Sequence, residues 1–267
     1  MAGSVSVQRG ADVSEITISN PEQRNALTPG MLATLSQAIT DLEGDASTRV
    51  LVLRGEGDWF SSGYALDHSP GLGQSNYGSD VAQVCDALER SPLVSIAMVR
   101  GFAVGAGLDV ACACDFRFAE QGAWFALPAV KLGLVYPWRG VRRLRRVLGP
   151  ALVRRVLLGA ERISLEEALA SGVVARSFED EVALVEGTRA YAAELAGRSA
   201  VALSGMKRVL FELARSDELP AEVAAEIEAL TRMTMDGAEL RSAAEKAVRK
   251  QPGATEPVGA RRTDPAA

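Results

Sequence analysis

Histidine and cysteine are scarce in this sequence of 267 residues, and their scarcity limits the chemistry that it can carry. His68 is the only histidine, so a Ser-His-Asp triad could be built only around that residue, which we interpret as a surface loop residue. The three cysteines are odd in number and lie in mostly apolar surroundings, which favours reduced thiols in a cytoplasmic protein. Cys112 and Cys114 have no His or Cys partner nearby, so we expect no bound metal.

Long apolar runs and an excess of positive charge are absent as well. No apolar stretch approaches the length needed to cross a membrane, and residues 1–10 lack the apolar centre of a signal peptide. The net charge of −5 gives no support for nucleic-acid binding. Hydrophobic residues make up 48% of the chain and charged residues 24%, which is typical of a soluble globular protein.

Strand and helix patterns alternate along the chain to about residue 178, and helical patterns alone follow. Two short strands are expected at 4–9 and 13–18, and a helix at 31–42. This order predicts an α/β core with a helical C-terminal part. We expect the core over residues 1–199, a helical region over 200–251 and a disordered tail over 252–267.

Four arginines lie on one side of the helix predicted at residues 141–148. They are Arg142, Arg143, Arg145 and Arg146. We interpret this basic run as a solvated face, and contact with an anionic ligand or an acidic neighbouring subunit is the alternative.

The stretch V-R-G-F-A-V-G-A-G-L-D-V-A-C-A-C-D at residues 99–115 combines a buried strand, a glycine-rich turn and a short buried helix. Such a turn leaves backbone N–H groups at a helix N-terminus, where negative charge is favoured. Asp109 follows Ala106 by three residues and shares its helix face. An N–H donor beside an acid or base suits chemistry at a carbonyl. The alternative is close packing of the helix on the sheet, with Asp109 favoured by the helix dipole.

Several stretches, read together, resemble the crotonase family, also called the enoyl-CoA hydratase/isomerase family. The similar segments are R-N-A-L at 24–27, F-S-S-G-Y-A-L at 60–66, the glycine-rich turn and helix at 101–115, and L-L-G-A-E-R-I-S-L-E-E-A-L-A-S-G-V-V at 157–174. Lys207 lies in a late-helix context that is usual there. Each motif is loose by itself, but four in order at family spacing form a strong match.

The resemblance implies a fold, a ligand and an assembly. The fold would be a crotonase-like spiral of ββα units with a helical C-terminal region. The ligand would be an acyl-CoA thioester, with no cofactor beyond the CoA of the substrate and no nucleic-acid or membrane partner. The C-terminal helices would mediate a homotrimer, which can pair into a hexamer.

The resemblance also implies the site residues. Two backbone N–H groups, of Tyr64 and Ala106, would hold the thioester oxygen and stabilise an enolate, and Asp109 would transfer protons. Losing one such donor typically costs about 3–4 kcal/mol of transition-state stabilisation. The residues expected to contact substrate are Arg24, Ala26, Ser62, Gly63, Tyr64, Ala65, Leu66, Asp67, Gly105, Ala106, Ala129, Tyr136 and Trp138.

The sequence departs from the family pattern where proton transfer is expected. Family hydratases carry two glutamates; here one is replaced by Asp109 and the other by Ala129, in the segment L-P-A. Tyr136 and Trp138 occupy a segment that is usually small and glycine-rich, so the acyl pocket is expected to be reshaped. A missing general acid or base typically lowers the rate by ~10²–10⁴.

We therefore expect hydration or double-bond isomerisation of an enoyl-CoA with Asp109 as the single carboxylate. Two alternatives remain open at this point. One is another enolate reaction, such as decarboxylation or thioester hydrolysis. The other is a protein that binds acyl-CoA without turnover, which the alanine at position 129 keeps open.

The all-helical ending resembles the region through which the family assembles, so the resemblance implies a homotrimer or hexamer in solution, with the helices after Ala200 in the contacts. Light scattering at micromolar concentration should give a mass of three or six chains. A monomer with the chain intact would contradict this prediction.

Overall fold

Five parallel strands and one antiparallel edge strand form the main sheet, in a computed structural model that describes residues 3–65, 77–215, 220–223 and 225–226. The strands lie in the spatial order β1-β2-β3-β4-β6-β9, and β1 pairs antiparallel with β2. Their bounds are β1 (Ser4–Gln8), β2 (Val13–Ser19), β3 (Val50–Gly55), β4 (Val94–Val99), β6 (Phe116–Glu120) and β9 (Arg176–Phe178).

A second sheet of three short strands lies beside the glycine-rich turn at Gly105. In it β7 pairs parallel with β5 and antiparallel with β8. The strands are β5 (Phe102–Val104), β7 (Trp124–Ala126) and β8 (Arg162–Ser164).

Seven α-helices follow or separate these strands in the part of the chain that the structure describes. They are α1 (Pro29–Glu43), α2 (Tyr77–Arg90), α3 (Ala106–Ala113), α4 (Trp138–Leu157), α5 (Leu165–Ala170), α6 (Glu181–Ala196) and α7 (Ala200–Leu213). Two 3₁₀ turns cover Pro21–Gln23 and Ala129–Leu132. Helix α4 is kinked at Gly149, whose φ is 74°, ahead of Pro150.

Apolar side chains cover both faces of the main sheet, which explains the uninterrupted apolar strands in the sequence. One core lies under α1, α2 and α3, and all six residues of β4 are buried. A second core lies under α6 and includes Val52, Ile96, Phe118 and Leu195. Parallel strands buried on both sides place the turns that follow them at one edge of the sheet.

The predicted order of elements is confirmed for most of the described chain. Strands at 4–8 and 13–19, the helix at 29–43 and the helices after residue 180 lie where the patterns indicated. The strands β5, β8 and β9 were not predicted. The proline, glycine, serine and asparagine residues at 69–78 predict a loop. This prediction is wrong at its end, since residues 77 and 78 belong to α2, and its other residues lie outside the described chain.

The chain divides into two compact units, residues 1–220 and 221–267. In the second unit, residues 221–223 and 225–226 are helical. The predicted boundaries at 199 and 251 stay predictions, and the predicted tail lies outside the described residues. Among the helices that the structure describes, none has both the length and the apolar character needed to span a bilayer.

Lys207 on α7 joins three elements of the core. Its ammonium group donates to the carbonyl oxygens of Leu88 at 2.9 Å and Leu93 at 2.6 Å, and to Asp115 Oδ2 at 2.7 Å. The same Asp115 oxygen accepts from the backbone N–H and hydroxyl of Ser95. The lysine is buried, so the end of α2, the start of β4 and the start of β6 depend on one charged group.

Lys207→Met should lower the free energy of unfolding by about 3 kcal/mol, because it leaves two buried carbonyls without their lysine donor and removes the positive charge that faces the Asp115 carboxylate. Urea unfolding of both proteins measures the difference. Lys131→Met is the matched control, since Lys131 is exposed and its loss should change little. Equal stability of the two variants would contradict the role assigned to Lys207.

Candidate active site

Two glycine turns meet at one edge of the fold. The segment after β3 runs beside β5, with Ser61 N–H donating to Phe102 O at 3.2 Å and Val104 N–H donating to Ser61 O at 2.9 Å. This pairing sets Gly63 against the turn at Gly105. A Cβ on Gly63 would lie 2.9 Å from Val104 O, and the glycine φ of 106° disfavours any side chain there.

The two backbone N–H groups predicted as oxyanion donors lie at these turns. Ala106 is the first residue of α3, where an N–H has no acceptor within the helix. Around Tyr64, Leu27 N–H donates to Gly63 O at 2.6 Å and Ala65 N–H donates to Leu27 O at 2.9 Å. Because backbone groups alternate in direction along such a pairing, the Tyr64 N–H faces away from Leu27.

Both turns line a cavity of about 80 Å³. Its remaining wall is largely apolar and comes from the segment after β7, which passes through the 3₁₀ turn Ala129–Leu132 and continues to Tyr136. The structure brings together at this cavity the predicted site residues Ser62, Gly63, Tyr64, Gly105, Ala106, Ala129 and Tyr136.

Other predicted site residues lie elsewhere. Arg24 is exposed, and its backbone adopts the left-handed conformation with a φ of 52°. Its guanidinium group lies 5.9 Å from the centre of the Trp59 ring. Ala26 and Ala65 are buried. Trp138 is 66% exposed and is not among the described residues that line the cavity. Leu66 and Asp67, like His68, lie outside the described residues.

Asp109 is held in a buried position between α3 and α4. Its Oδ1 accepts from Arg143 Nη1 at 2.8 Å and its Oδ2 accepts from the Tyr136 hydroxyl at 3.0 Å. The residue is 3% exposed and lines a crevice of about 10 Å³, separate from the cavity at the two turns. The carboxylate is therefore hydrogen-bonded to Tyr136 and Arg143 and is not among the described residues that line the cavity. Its catalytic role stays a prediction.

Arg143 links Asp109 to an acidic group on α2. Its Nη2 donates to Glu89 Oε2 at 3.0 Å, and Arg146 Nη2 donates to Glu89 Oε1 at 2.5 Å. Burial acts to raise the pKa of Glu89, but the two arginines outweigh it and hold that pKa below its ordinary value. For Asp109 the balance is opposite: burial raises the pKa, and Arg143 and Tyr136 offset this only in part.

The interpretation of the arginine run as a solvated face is wrong for Arg143, which is 3% exposed. Arg146 pairs with Glu89, and Arg142 lies 5.4 Å from the Trp138 ring centre. The sequence carried a signal for this. Positions 140, 143, 144 and 147 form one helical stripe, so Arg143 shares the face of Leu144 that packs inward. Glu89 was not predicted, and no local pattern distinguishes it.

Gly140 makes the contact between Tyr136 and Asp109 possible. A Cβ at this position would lie against Tyr136 Cε1 and 2.6 Å from Asp109 Oδ2. A side chain of any size would therefore push the phenol and the carboxylate apart. The glycine belongs to the first turn of α4.

In this α/β fold the turn after β3 and the turn at the start of α3 line one largely apolar cavity. The family model described as enoyl-CoA hydratase/isomerase matches residues 8–250, and the chain belongs to this family of acyl-CoA enzymes, the crotonase family. The resemblance and the fold class expected from the sequence are thereby confirmed.

Two relatives and one solved structure illustrate the similarity. A probable enoyl-CoA hydratase of Bacillus subtilis is 34% identical over 203 residues, 74% of this chain and 78% of that protein. The mitochondrial Delta(3,5)-Delta(2,4)-dienoyl-CoA isomerase of Mus musculus is 31% identical, over 73% of this chain and 64% of that protein. A crystal structure of a putative enoyl-CoA hydratase/isomerase family protein from Hyphomonas neptunium is 27% identical, with a TM-score of 0.82 over 93% of this chain and 95% of that one.

Gly140→Ala should lower the free energy of unfolding by about 1–3 kcal/mol, because the added methyl group overfills the space beside Tyr136 and Asp109. Gly30→Ala is the matched control, since a Cβ there meets nothing closer than Thr28 Oγ1 at 4.0 Å. In a helix that control should be neutral or gain up to about 1 kcal/mol. Urea unfolding measures both, and equal effects would contradict the tight packing at Gly140.

Proposed function

We propose that the protein is a cytoplasmic enzyme that forms an enolate from an acyl-CoA thioester, with hydratase/isomerase-type chemistry and Asp109 as its single carboxylate. The observation that carries the proposal is the cavity lined by both Tyr64 and Ala106. A thioester oxygen placed there would accept from two backbone N–H groups. Such donors stabilise the negative charge that develops when a proton leaves the neighbouring carbon.

Migration of a double bond fits the site better than hydration. Moving a double bond needs one group that takes a proton from one carbon and returns it to another. Hydration needs a second group to activate water, and Ala129, which lines the cavity, occupies the position at which the family resemblance implies a second carboxylate. Among the described residues that line the cavity, none is a carboxylate.

Substrate binding in this proposal uses the segment around Arg24 and Ala26 for CoA. The CoA moiety arrives with the substrate, and the reaction needs no other cofactor or metal. Apolar residues of the cavity, among them Val104, Leu127 and Leu134, would contact the acyl group. A homotrimer or hexamer is part of the same proposal.

A protein that binds acyl-CoA without turnover is the second candidate. The observation that favours it is the engagement of Asp109 with Arg143, away from the cavity. Decarboxylation or thioester hydrolysis would use the same two donors, and product analysis distinguishes both from isomerisation.

The test is incubation with a panel of saturated, α,β-unsaturated and β,γ-unsaturated acyl-CoAs, with product mass and ligand binding measured together. We expect isomerisation of a β,γ-enoyl-CoA and only slow hydration of crotonyl-CoA. Fast crotonyl-CoA hydration would contradict the single-carboxylate argument. Tight binding without any product would favour the second candidate.

Ala106→Pro should lower turnover by about 10²–10³-fold, because proline removes one of the two donors outright. Proline is tolerated at the first position of a helix, so the fold should persist. Ala200→Pro, the same change at the first residue of α7, is the matched control and should keep full activity. Unchanged turnover in folded Ala106→Pro protein would contradict the donor assignment.

A further inference from the structure

We propose that Tyr136 is a catalytic residue whose phenol carries protons between the acyl group in the cavity and the buried carboxylate of Asp109. This inference rests on the proposed function and names the group that performs its proton transfer. The phenol would take the place that a second carboxylate leaves at Ala129.

Tyr136 is the residue that connects the two spaces. It lines the cavity of about 80 Å³ together with Tyr64 and Ala106, and it also lines the crevice of about 10 Å³ that contains Asp109. Asp109 lines the crevice and is not among the described residues that line the cavity. A proton that leaves a substrate in the cavity therefore meets Tyr136 before it meets the carboxylate.

The hydrogen bonds around Asp109 orient this route. Arg143 occupies Oδ1 and is itself held by Glu89, so the carboxylate has a fixed position. The other oxygen, Oδ2, accepts from the Tyr136 hydroxyl at 3.0 Å. The acceptor for a proton from the phenol is thus already in place.

The chain around Tyr136 preserves this contact. Pro137 follows it directly and caps α4, and its φ of −56° fixes the entry of the chain into the helix. Gly140, one turn later, leaves the space that the ring and Asp109 Oδ2 share. Pro137 and Gly140 thus each favour the contact between Tyr136 and Asp109, one through the backbone and the other through the space it leaves.

The proposed step balances without an outside reactant. The C–H bond beside the thioester breaks, its electron pair forms the enolate held by the Tyr64 and Ala106 N–H groups, and its proton bonds to the Tyr136 oxygen. At the same time the original O–H bond of Tyr136 breaks, and that proton bonds to Asp109 Oδ2. The reverse transfer to a different carbon returns both residues to their starting states and completes a double-bond shift.

The charges around the relay suit its direction. A phenol alone, with a pKa near 10, is a weak base at neutral pH, and the carboxylate supplies the acceptor that it lacks. The charged groups nearby are Asp109 on α3, Asp86 and Glu89 on α2, and Arg139 and Arg143 on α4. Burial raises the pKa of Asp109, which favours its protonated form in the intermediate.

Exchange of the α-protons of butyryl-CoA in D₂O tests the relay, since it reports proton removal without a double-bond shift. Tyr136→Phe keeps the ring and removes the hydroxyl, and we expect exchange to fall at least ~100-fold with butyryl-CoA binding nearly unchanged. Asp109→Asn should give a similar loss, and the double variant should lose little more, because both residues serve one route. Tyr191→Phe, on α6 among Phe116 and Phe118, is the matched control and should exchange normally.

A second measurement keeps the fold intact. Site-specific 3,5-difluorotyrosine at position 136 has a more acidic phenol than tyrosine. If exchange depends on the ionisation of this phenol, the exchange rate should change at a lower pH than it does in the natural protein. Full exchange in folded Tyr136→Phe protein, or a pH profile that fluorination leaves unchanged, would overturn the relay. If Asp109→Asn then abolishes exchange, the proposed function survives without Tyr136. No exchange or turnover by the natural protein would overturn both.

Discussion

The buried ion pair of Asp109 with Arg143 is the interaction on which the site depends. It joins α3, which begins at Ala106, to α4, which begins after Tyr136. Glu89 extends it to α2 and Arg146 completes it at the surface. Removing one partner of such a pair leaves an uncompensated buried charge, which typically costs about 3–5 kcal/mol. The relative position of α2, α3 and α4 therefore rests on one small group of charges.

The proposed oxyanion donors come from the backbone, so they place no demand on the side chains at their own positions. Pairing of the segment after β3 with β5 brings the two turns together, and a helix start orients the N–H of Ala106. Neither requirement refers to a particular side chain. A bulky residue such as Tyr64 is compatible with the site because the bare backbone is supplied by its neighbours, Gly63 in one turn and Gly105 and Gly107 in the other.

Proton transfer follows the opposite rule, because it needs a specific side chain at a specific place. Ala129 lines the cavity and has no exchangeable proton. Asp109 has a carboxylate, but the geometry directs it into a crevice beside Tyr136. The chemistry open to this chain is therefore set by which side chain connects that crevice to the cavity. The relatives named here include a probable hydratase and an isomerase, and the choice of proton-transferring side chain is what separates these two reactions.

Apolar periodicity and glycine position in the sequence determined most of the architecture, because strands buried on both faces and amphipathic helices leave patterns that local reading detects. The glycine turn at 105–107, the helix that starts there and the place of Asp109 on it followed from spacing alone. The three-residue strands β5, β8 and β9 were missed because they are too short to show a period, whereas β7 was predicted. The pairing of Asp109 with Arg143 joins residues 34 positions apart, and that of Arg143 with Glu89 spans 54. Only the tertiary structure decided these contacts. Of several similar arginines in α4, packing buries Arg143, and its buried charge is paired with the carboxylates that the fold places beside it.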